Sequence, residues 1–491
     1  MRATGRFARR LAAAAAAGAL AVAGFAPAEF FVALVASLAL LVHLWSREQA
    51  SARAAALGFA FGLGFFGAGV SWVYVSLARF GGLAPPLAAV ATAVFCALLA
   101  LFPAAVGALQ AKVPAAPLAR ALAVVPGLWA LAEALRGWLF TGFPWLSVGH
   151  AVPGTPLAGY APLGGTVAAS LAVVCLAGCT WAVAARKGRL GALALAAALL
   201  GAGALASRIA WTEPAAAPLR VALLQGNVAQ DLKFDPERWP RTVQTYARLA
   251  EGTRARLIVL PETALPRFLD TIEPAVIERL AAAARRNGGD LVLGVPVRAP
   301  GGRYWNSVVT LGVSPSARYD KVHLVPFGEF APPGFAWFAR ALAIPLSDFS
   351  RGAADQRPLA AAGERLAVSI CYENAFGAEV RAQLPEATLL VNVSNVAWFG
   401  DSLAPAQHLQ IGRFRALETG RPLLAATNTG ITAVVGADGA VLARLPQFRE
   451  GALEAEIAGR RGQTPYVRTG DAPALAAALA LVVLAPWLRR R

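Results

Sequence analysis

Up to about position 207, long apolar runs alternate with short polar breaks. A bilayer-spanning helix needs roughly 20 mostly apolar residues. The pattern predicts such helices near 11 to 25, 28 to 45, 55 to 77, 85 to 109, 121 to 138, 163 to 185 and 190 to 207, with one more near 472 to 488. The first run is short, Ala-rich and arginine-flanked, and it ends in Ala26-Pro27-Ala28. A cleaved signal peptide therefore stands beside a spanning helix as its reading, and both would enter with the basic end inside.

Between 208 and 470 the texture changes to short β-rich runs alternating with polar helical ones. Leu219 to Leu224, Leu257 to Leu260, Leu291 to Val295, Ser307 to Leu311, Ala367 to Cys371, Thr388 to Val393, Leu423 to Ala426 and Ile431 to Val435 predict buried strands. Segments 238 to 252, 273 to 286, 376 to 383 and 405 to 419 predict helices. The chain thus divides into a helical membrane domain at 1–207, an α/β domain of layered sheets at 208–470, and a last membrane helix with a basic tail at 471–491.

Charge refines this picture. A net charge of +17 could mark a nucleic-acid binder, but residues 208–470 carry only +5 of it and the apolar remainder carries +12. Fourteen of the sixteen basic residues in that remainder fall at the amino terminus, in every second inter-helix loop, or at Arg489 to Arg491; Arg79 and Arg136 are the exceptions. That asymmetry fixes orientation in a membrane. Both termini are expected in the cytoplasm and 208–470 outside it, so the charge records topology and no nucleic-acid partner is expected.

Cys96, Cys175 and Cys179 lie in predicted membrane helices, which leaves Cys371 alone in the α/β domain with no disulfide partner there. Cys175 and Cys179 share a helix face, but with no carboxylate or histidine beside them they read as small packing residues rather than metal ligands.

Three stretches place a reactive side chain at the end of an apolar strand, where α/β folds hold their chemistry. They are Leu257-Ile258-Val259-Leu260-Pro261-Glu262, Tyr319-Asp320-Lys321 with its continuation to Glu329, and Val368-Ser369-Ile370-Cys371-Tyr372-Glu373. A thiol attacks a carbonyl as its thiolate, so a carboxylate such as Glu262 can take its proton and later return it. The developing oxyanion needs fixed positive partners, which the Lys321 ammonium and the Tyr372 amide can supply.

Glu262, Lys321 and Cys371, spaced by 59 and 50 residues, resemble the Glu-Lys-Cys triad of the nitrilase, or carbon-nitrogen hydrolase, superfamily. The strings PETALP, KVHLVPFGE and CYEN, with QHLQIGRFRALETGRPLLAATNTGIT at 407 to 432, carry that resemblance. Seven helices, such a domain and one last helix narrow it to the apolipoprotein N-acyltransferase family over essentially the full chain. The resemblance implies a bundle of about eight membrane helices plus an extracytoplasmic αββα sandwich, in a multi-pass protein of a bacterial inner membrane with its catalytic domain on the periplasmic side.

It also implies a thioester on Cys371 formed from the sn-1 acyl chain of a phospholipid, commonly phosphatidylethanolamine. The acyl group then passes to the α-amine of a lipoprotein's S-diacylglyceryl cysteine. Glu329, Tyr372 and Glu373 take supporting or substrate-binding roles by the same resemblance; independently, a second carboxylate at Glu329 can hold Lys321 charged and oriented. No metal or cofactor is expected, since the acyl carrier is the protein's own thiol, and a monomer is expected. The chain departs from the family's usual pattern at Val396, Ala425, Ala229 and Phe234, where an acidic residue, an arginine, a proline and a tryptophan are usual.

Rival readings stay open on the residues alone. A membrane-anchored amidase would use the same triad and send water to the thioester, and a retired enzyme would keep the fold as a scaffold. His323 invites a Cys-His dyad, though only its proximity to Lys321 favours that over a packed or hydrogen-bonded histidine. Glu133 and Arg136 read equally as a structural ion pair or a lipid-headgroup contact. Trp138, Phe143 and Trp145 read as interface aromatics or as the lining of a lipid path.

Overall fold

The computed structural model describes residues 2–332, 334, 346 and 348–490. They form two compact units. One takes in the chain up to Tyr74, then Pro85–Ala210 and Arg468 onward; the other takes in Val75–Ala84 and Trp211–Val467.

The first unit is helical: α1 Arg2–Ala21, α2 Phe31–Ser46, α3 Ser51–Gly69, α4 Pro85–Lys112, α5 Val125–Arg136, α6 Tyr160–Ala184, α7 Arg189–Ala206, and a C-terminal helix at Ala472–Leu484. Among the described residues, six helical stretches are long and apolar enough to cross a membrane, while Phe31–Ser46 and Ala472–Trp487 are apolar but shorter. The run expected to be helical to 77 stops at Gly69, and Val75–Ala84 belongs to the other unit. The helix expected from 163 starts earlier, at Tyr160, and kinks at Gly164 and Gly165.

Small residues let these helices approach, as expected where lipid supplies no hydrophobic drive between them. A Cβ on Gly18 of α1 would overlap the Phe61 carbonyl oxygen of α3, and one on Gly64 would overlap that of Ala15. One polar cluster is wired into the unit. Glu133 accepts from Trp129 Nε1 (2.9 Å), the Val148 amide (2.9 Å) and Ser170 Oγ (2.6 Å). Buried Arg136 donates to the Phe143 and Trp145 carbonyls, both at 2.6 Å. The pair therefore holds residues 143–148 against the helices; Trp145 is buried there, whereas Trp138 is exposed.

The second unit answers the period-2 pattern of its apolar runs. One sheet has the order β13-β2-β3-β4-β5-β6 and the other β12-β11-β10-β9-β8-β7. The first comprises β2 Leu219–Gln225, β3 Leu257–Val259, β4 Asp290–Arg298, β5 Tyr304–Gly312, β6 Arg318–Asp320 and β13 Gly451–Ile457. The second comprises β7 Leu359–Ala361, β8 Glu364–Ile370, β9 Leu389–Ser394, β10 Leu423–Thr427, β11 Thr432–Val435 and β12 Val441–Leu445. β1 Thr212–Pro214 and β14 Arg460–Gly462 form a separate pair. β2-β3-β4 and β8-β9-β10 run parallel at the sheet centres.

Alternate residues of each strand face opposite ways. Val221, Leu223, Val259, Val292, Val368, Ile370, Val391, Val393 and Leu424 meet in one core between the sheets. Their neighbours Ala222, Leu224, Ile258 and Leu291 pack on α8 Trp239–Glu251 and α9 Pro274–Arg286. Ala367, Leu390 and Ala433 pack on α10 Gly377–Ala382 and α11 Ala404–Thr419. The layers are thus helix, sheet, sheet, helix, and strands buried on both faces read as near-continuous apolar runs.

Candidate active site

Glu262 follows β3, held between strands by backbone bonds from Leu260 N to Val292 O (2.8 Å) and from Ala264 N to Gly294 O (2.9 Å). Gly294 is required for that approach, because a Cβ there would strike the Pro261 carbonyl and Glu262 Cα. Lys321 sits one residue past β6, its amide donating to Asn306 O on β5 at 2.9 Å. Cys371 follows β8 directly at φ +53°, a conformation rare for a residue with a side chain. The turn swings the chain out of the sheet into a short 3₁₀ segment, Cys371–Ala375. His408 Nε2 (3.1 Å) and Asn392 Nδ2 (3.3 Å) hold the Cys371 carbonyl.

These elements bring the predicted carboxylates and ammonium together. Lys321 Nζ lies 2.8 Å from the Glu329 carboxylate and 3.5 Å from Glu262 Oε1. Asn306 Nδ2 bridges the two carboxylates, at 2.7 Å to Glu262 and 3.0 Å to Glu329. The Asn395 amide donates to Glu262 Oε2 at 2.7 Å; it also favours the thiolate form of Cys371. Lys233 Nζ donates to the Glu262 carbonyl at 3.2 Å.

Charge is distributed accordingly. Burial pushes the Cys371 thiol well above its ordinary range; the Glu262 charge adds to this and Lys321 opposes it. The thiol is therefore neutral at rest. Burial alone would raise the Glu262 carboxyl, but the charges of Lys321 and Lys233 and the hydrogen bonds from Asn306 and Asn395 outweigh it and leave Glu262 ionised. Burial likewise opposes the charge on Lys321, and Glu329 and Glu262 overcome it, keeping the ammonium above its ordinary value.

Glu373 lies beneath this group as a clasp. Its carboxylate accepts from the Val322 (2.6 Å), His323 (3.0 Å) and Ile370 (2.7 Å) amides and from Tyr319 Oη (3.1 Å), tying the Lys321 loop to the Cys371 turn. Burial pushes its carboxyl up to about 8. Tyr372 packs edge-on against His323 and Phe376, with centroids at 5.7 and 5.0 Å. His323 stacks on Phe376 at 3.6 Å and pairs with Glu379 at 2.7 Å, which occupies Nδ1.

The sequence patterns of two families fall on the two parts of the chain: carbon-nitrogen hydrolase on residues 220–466, and apolipoprotein N-acyltransferase N-terminal domain on residues 17–179. The apolipoprotein N-acyltransferase of Nitrosomonas europaea is 47% identical over 94% of this chain and 94% of its own. The chain belongs to the apolipoprotein N-acyltransferase family. The family's protein from Methylococcus capsulatus is also 47% identical, over 95% of this chain and 94% of its own. The solved carbon-nitrogen hydrolase of Helicobacter pylori G27 is 21% identical and covers 56% of this chain and 95% of its own, with a TM-score of 0.38.

The departures from the family's usual pattern have definite places. Val396 is buried, and a Cβ on Gly430 would collide with it; Ala425 packs within the sheet–helix core. Asn306, Asn395, Lys233 and His408 touch the site but were not singled out from the sequence of this family member. Asn306 and Asn395 are neutral amides at strand ends, Lys233 lies in a loop, and His408 lies on a helix distant in sequence. Only the fold brings them to Glu262 and Cys371.

Proposed function

We propose that this chain is an apolipoprotein N-acyltransferase in which Cys371 carries the acyl group, Glu262 moves the proton and Lys321 meets the oxyanion. The observation that carries the reading is an ionised Glu262 that lies 3.5 Å from Lys321, in a cluster whose charges bear on the half-buried Cys371 thiol. As Cys371 Sγ bonds to the sn-1 ester carbon of a phospholipid such as phosphatidylethanolamine, Glu262 takes the thiol proton. Lys321 and the Tyr372 amide face the negative oxygen, a contribution of about 3 kcal/mol per donor. The ester C–O bond then breaks, and Glu262 returns the proton to the departing lysophospholipid oxygen.

In the second half, the neutral α-amine of a lipoprotein's S-diacylglyceryl cysteine attacks the thioester. Glu262 accepts a proton from that amine and passes it to the leaving Cys371 sulfur, which restores the enzyme. Glu329 keeps Lys321 charged, and Glu373 positions the Lys321 and Cys371 loops. The carrier is a side chain of the protein, so this chemistry needs no added cofactor. We likewise propose a monomer.

The domains proposed are 1–207, 208–470 and 471–491, with about eight helices crossing a bacterial inner membrane. Both termini are cytoplasmic and the α/β domain is periplasmic, a topology supported by the placement of the basic residues. The test is discharge of the acylated enzyme. A diacylglyceryl-cysteine peptide should release the acyl group as an amide far faster than water does; equal rates would favour an amidase-like hydrolase.

A further inference from the structure

Lys233 lies in the loop after β2, and its position is fixed from several sides. The Asn227 amide donates to Asn428 O at 2.9 Å, while Asn428 Nδ2 donates to Val228 O at 2.7 Å and Asn428 Oδ1 accepts from the Val228 amide at 3.0 Å. Gln230 Oε1 accepts from Asn395 Nδ2 at 2.7 Å, so the loop is tied to the residue whose amide holds the Glu262 carboxylate. Its lysine is buried at 3% exposure, with Nζ 3.2 Å from the Glu262 carbonyl.

A buried ammonium is costly unless its charge is used. Here it forms no ion pair with a carboxylate among the described residues; burial pushes its ammonium down to about 8, and the Glu262 charge works against that. A methionine would fill the same space without that cost. Without Lys233, Lys321 alone would face two carboxyl groups, Glu262 and Glu329, and a thiol that must become an anion. Lys233 places a second cation beside them.

We propose that Lys233 is a positioning residue of the acyl-transfer site, fixing the Glu262 main chain and supplying the second positive charge that keeps Glu262 ionised. This rests on the acyl-transfer reading above. The charged and titratable groups around Glu262 are Lys233 from the β2 loop, Lys321 and Glu329 from the segment after β6, Cys371 from β8 and His408 from α11. Among these, Lys233 is the one whose loss removes positive charge without touching the Lys321–Glu329 pair.

The experiment follows acylation of Cys371 by phosphatidylethanolamine in the full chain, by intact mass, from acid to alkaline pH. Wild type, Lys233→Met, Lys233→Gln and Lys233→Arg are compared, each checked for its melting temperature. Removing the charge should slow acylation at least about tenfold and move the acid limb of the rate upward by about one pH unit, because Glu262 becomes easier to protonate. Lys233→Arg should keep the limb in place. A slower rate with an unmoved limb, an unchanged rate, or loss of fold in both neutral variants would overturn the inference by making Lys233 purely structural or dispensable. No adduct on wild type would overturn the acyl-transfer reading, and the role of Lys233 with it.

Discussion

Glu133 in the helical unit and Glu262 in the α/β unit are both largely buried carboxylates beside a cation, Arg136 at 3.9 Å and Lys321 at 3.5 Å. Around Glu133 each oxygen meets donors from the helices and the 143–148 segment, and Arg136 donates to the Phe143 and Trp145 carbonyls and to Ser147 Oγ. Around Glu262 a donor is shared: Asn306 Nδ2 serves both Glu262 and Glu329, and Lys321 lies against both carboxylates. Burial and an opposite charge therefore do not by themselves mark a reactive carboxylate. What sets Glu262 apart is a donor and an ammonium shared with a second carboxylate, in the cluster proposed to serve the Cys371 thiol.

That contrast can be broken by substitution. Glu262→Gln keeps the shape and removes the base, so Cys371 acylation should fall about 10³-fold while the protein stays folded; a loss below tenfold would move the proton-transfer role elsewhere. Glu133→Ala should do the reverse. It strips partners from Arg136, Ser170 and the Val148 amide, costing about 3 kcal/mol of stability, and it should leave acylation per folded molecule unchanged. A kinetic defect without a melting shift would make Glu133 a substrate contact after all.

The smallest effect concerns Glu373. Its folded carboxyl is pushed up to about 8 from an ordinary 4.5, so the folded state holds the proton more tightly than the unfolded chain does. Its contribution to stability is complete below about pH 4.5 and is lost as pH rises through about 8. Glu373→Gln, which cannot lose a proton, should flatten the decline in melting temperature across that window. An unaltered slope would show that the clasp is ionised throughout.

The parts of this account that were legible in the sequence are those where pattern and packing coincide. Strands such as Leu219–Gln225 and Leu389–Ser394 are buried on both faces and read as apolar runs. Glu262 and Cys371 are legible because they follow such strands, β3 and β8, whereas Lys321 follows the short β6 and is legible through the string that carries the family resemblance. β6 is three residues long and β12 is largely exposed, so neither leaves a hydrophobic signature. The helix predicted to run to 77 was misjudged because Val75–Ala84 is apolar for a different partner: Ser76 Oγ donates to Trp398 O at 2.9 Å, and Phe80 meets the Trp398 ring at 6.0 Å. Asn395 acts through its backbone amide, which no side-chain pattern can announce.

The central claim is that the acyl group rests on Cys371. Full-length protein in detergent, incubated with phosphatidylethanolamine and no acceptor, should gain the mass of one acyl group, and Cys371→Ala should gain none. An unmodified wild type, or an adduct that survives in Cys371→Ala, would contradict the account.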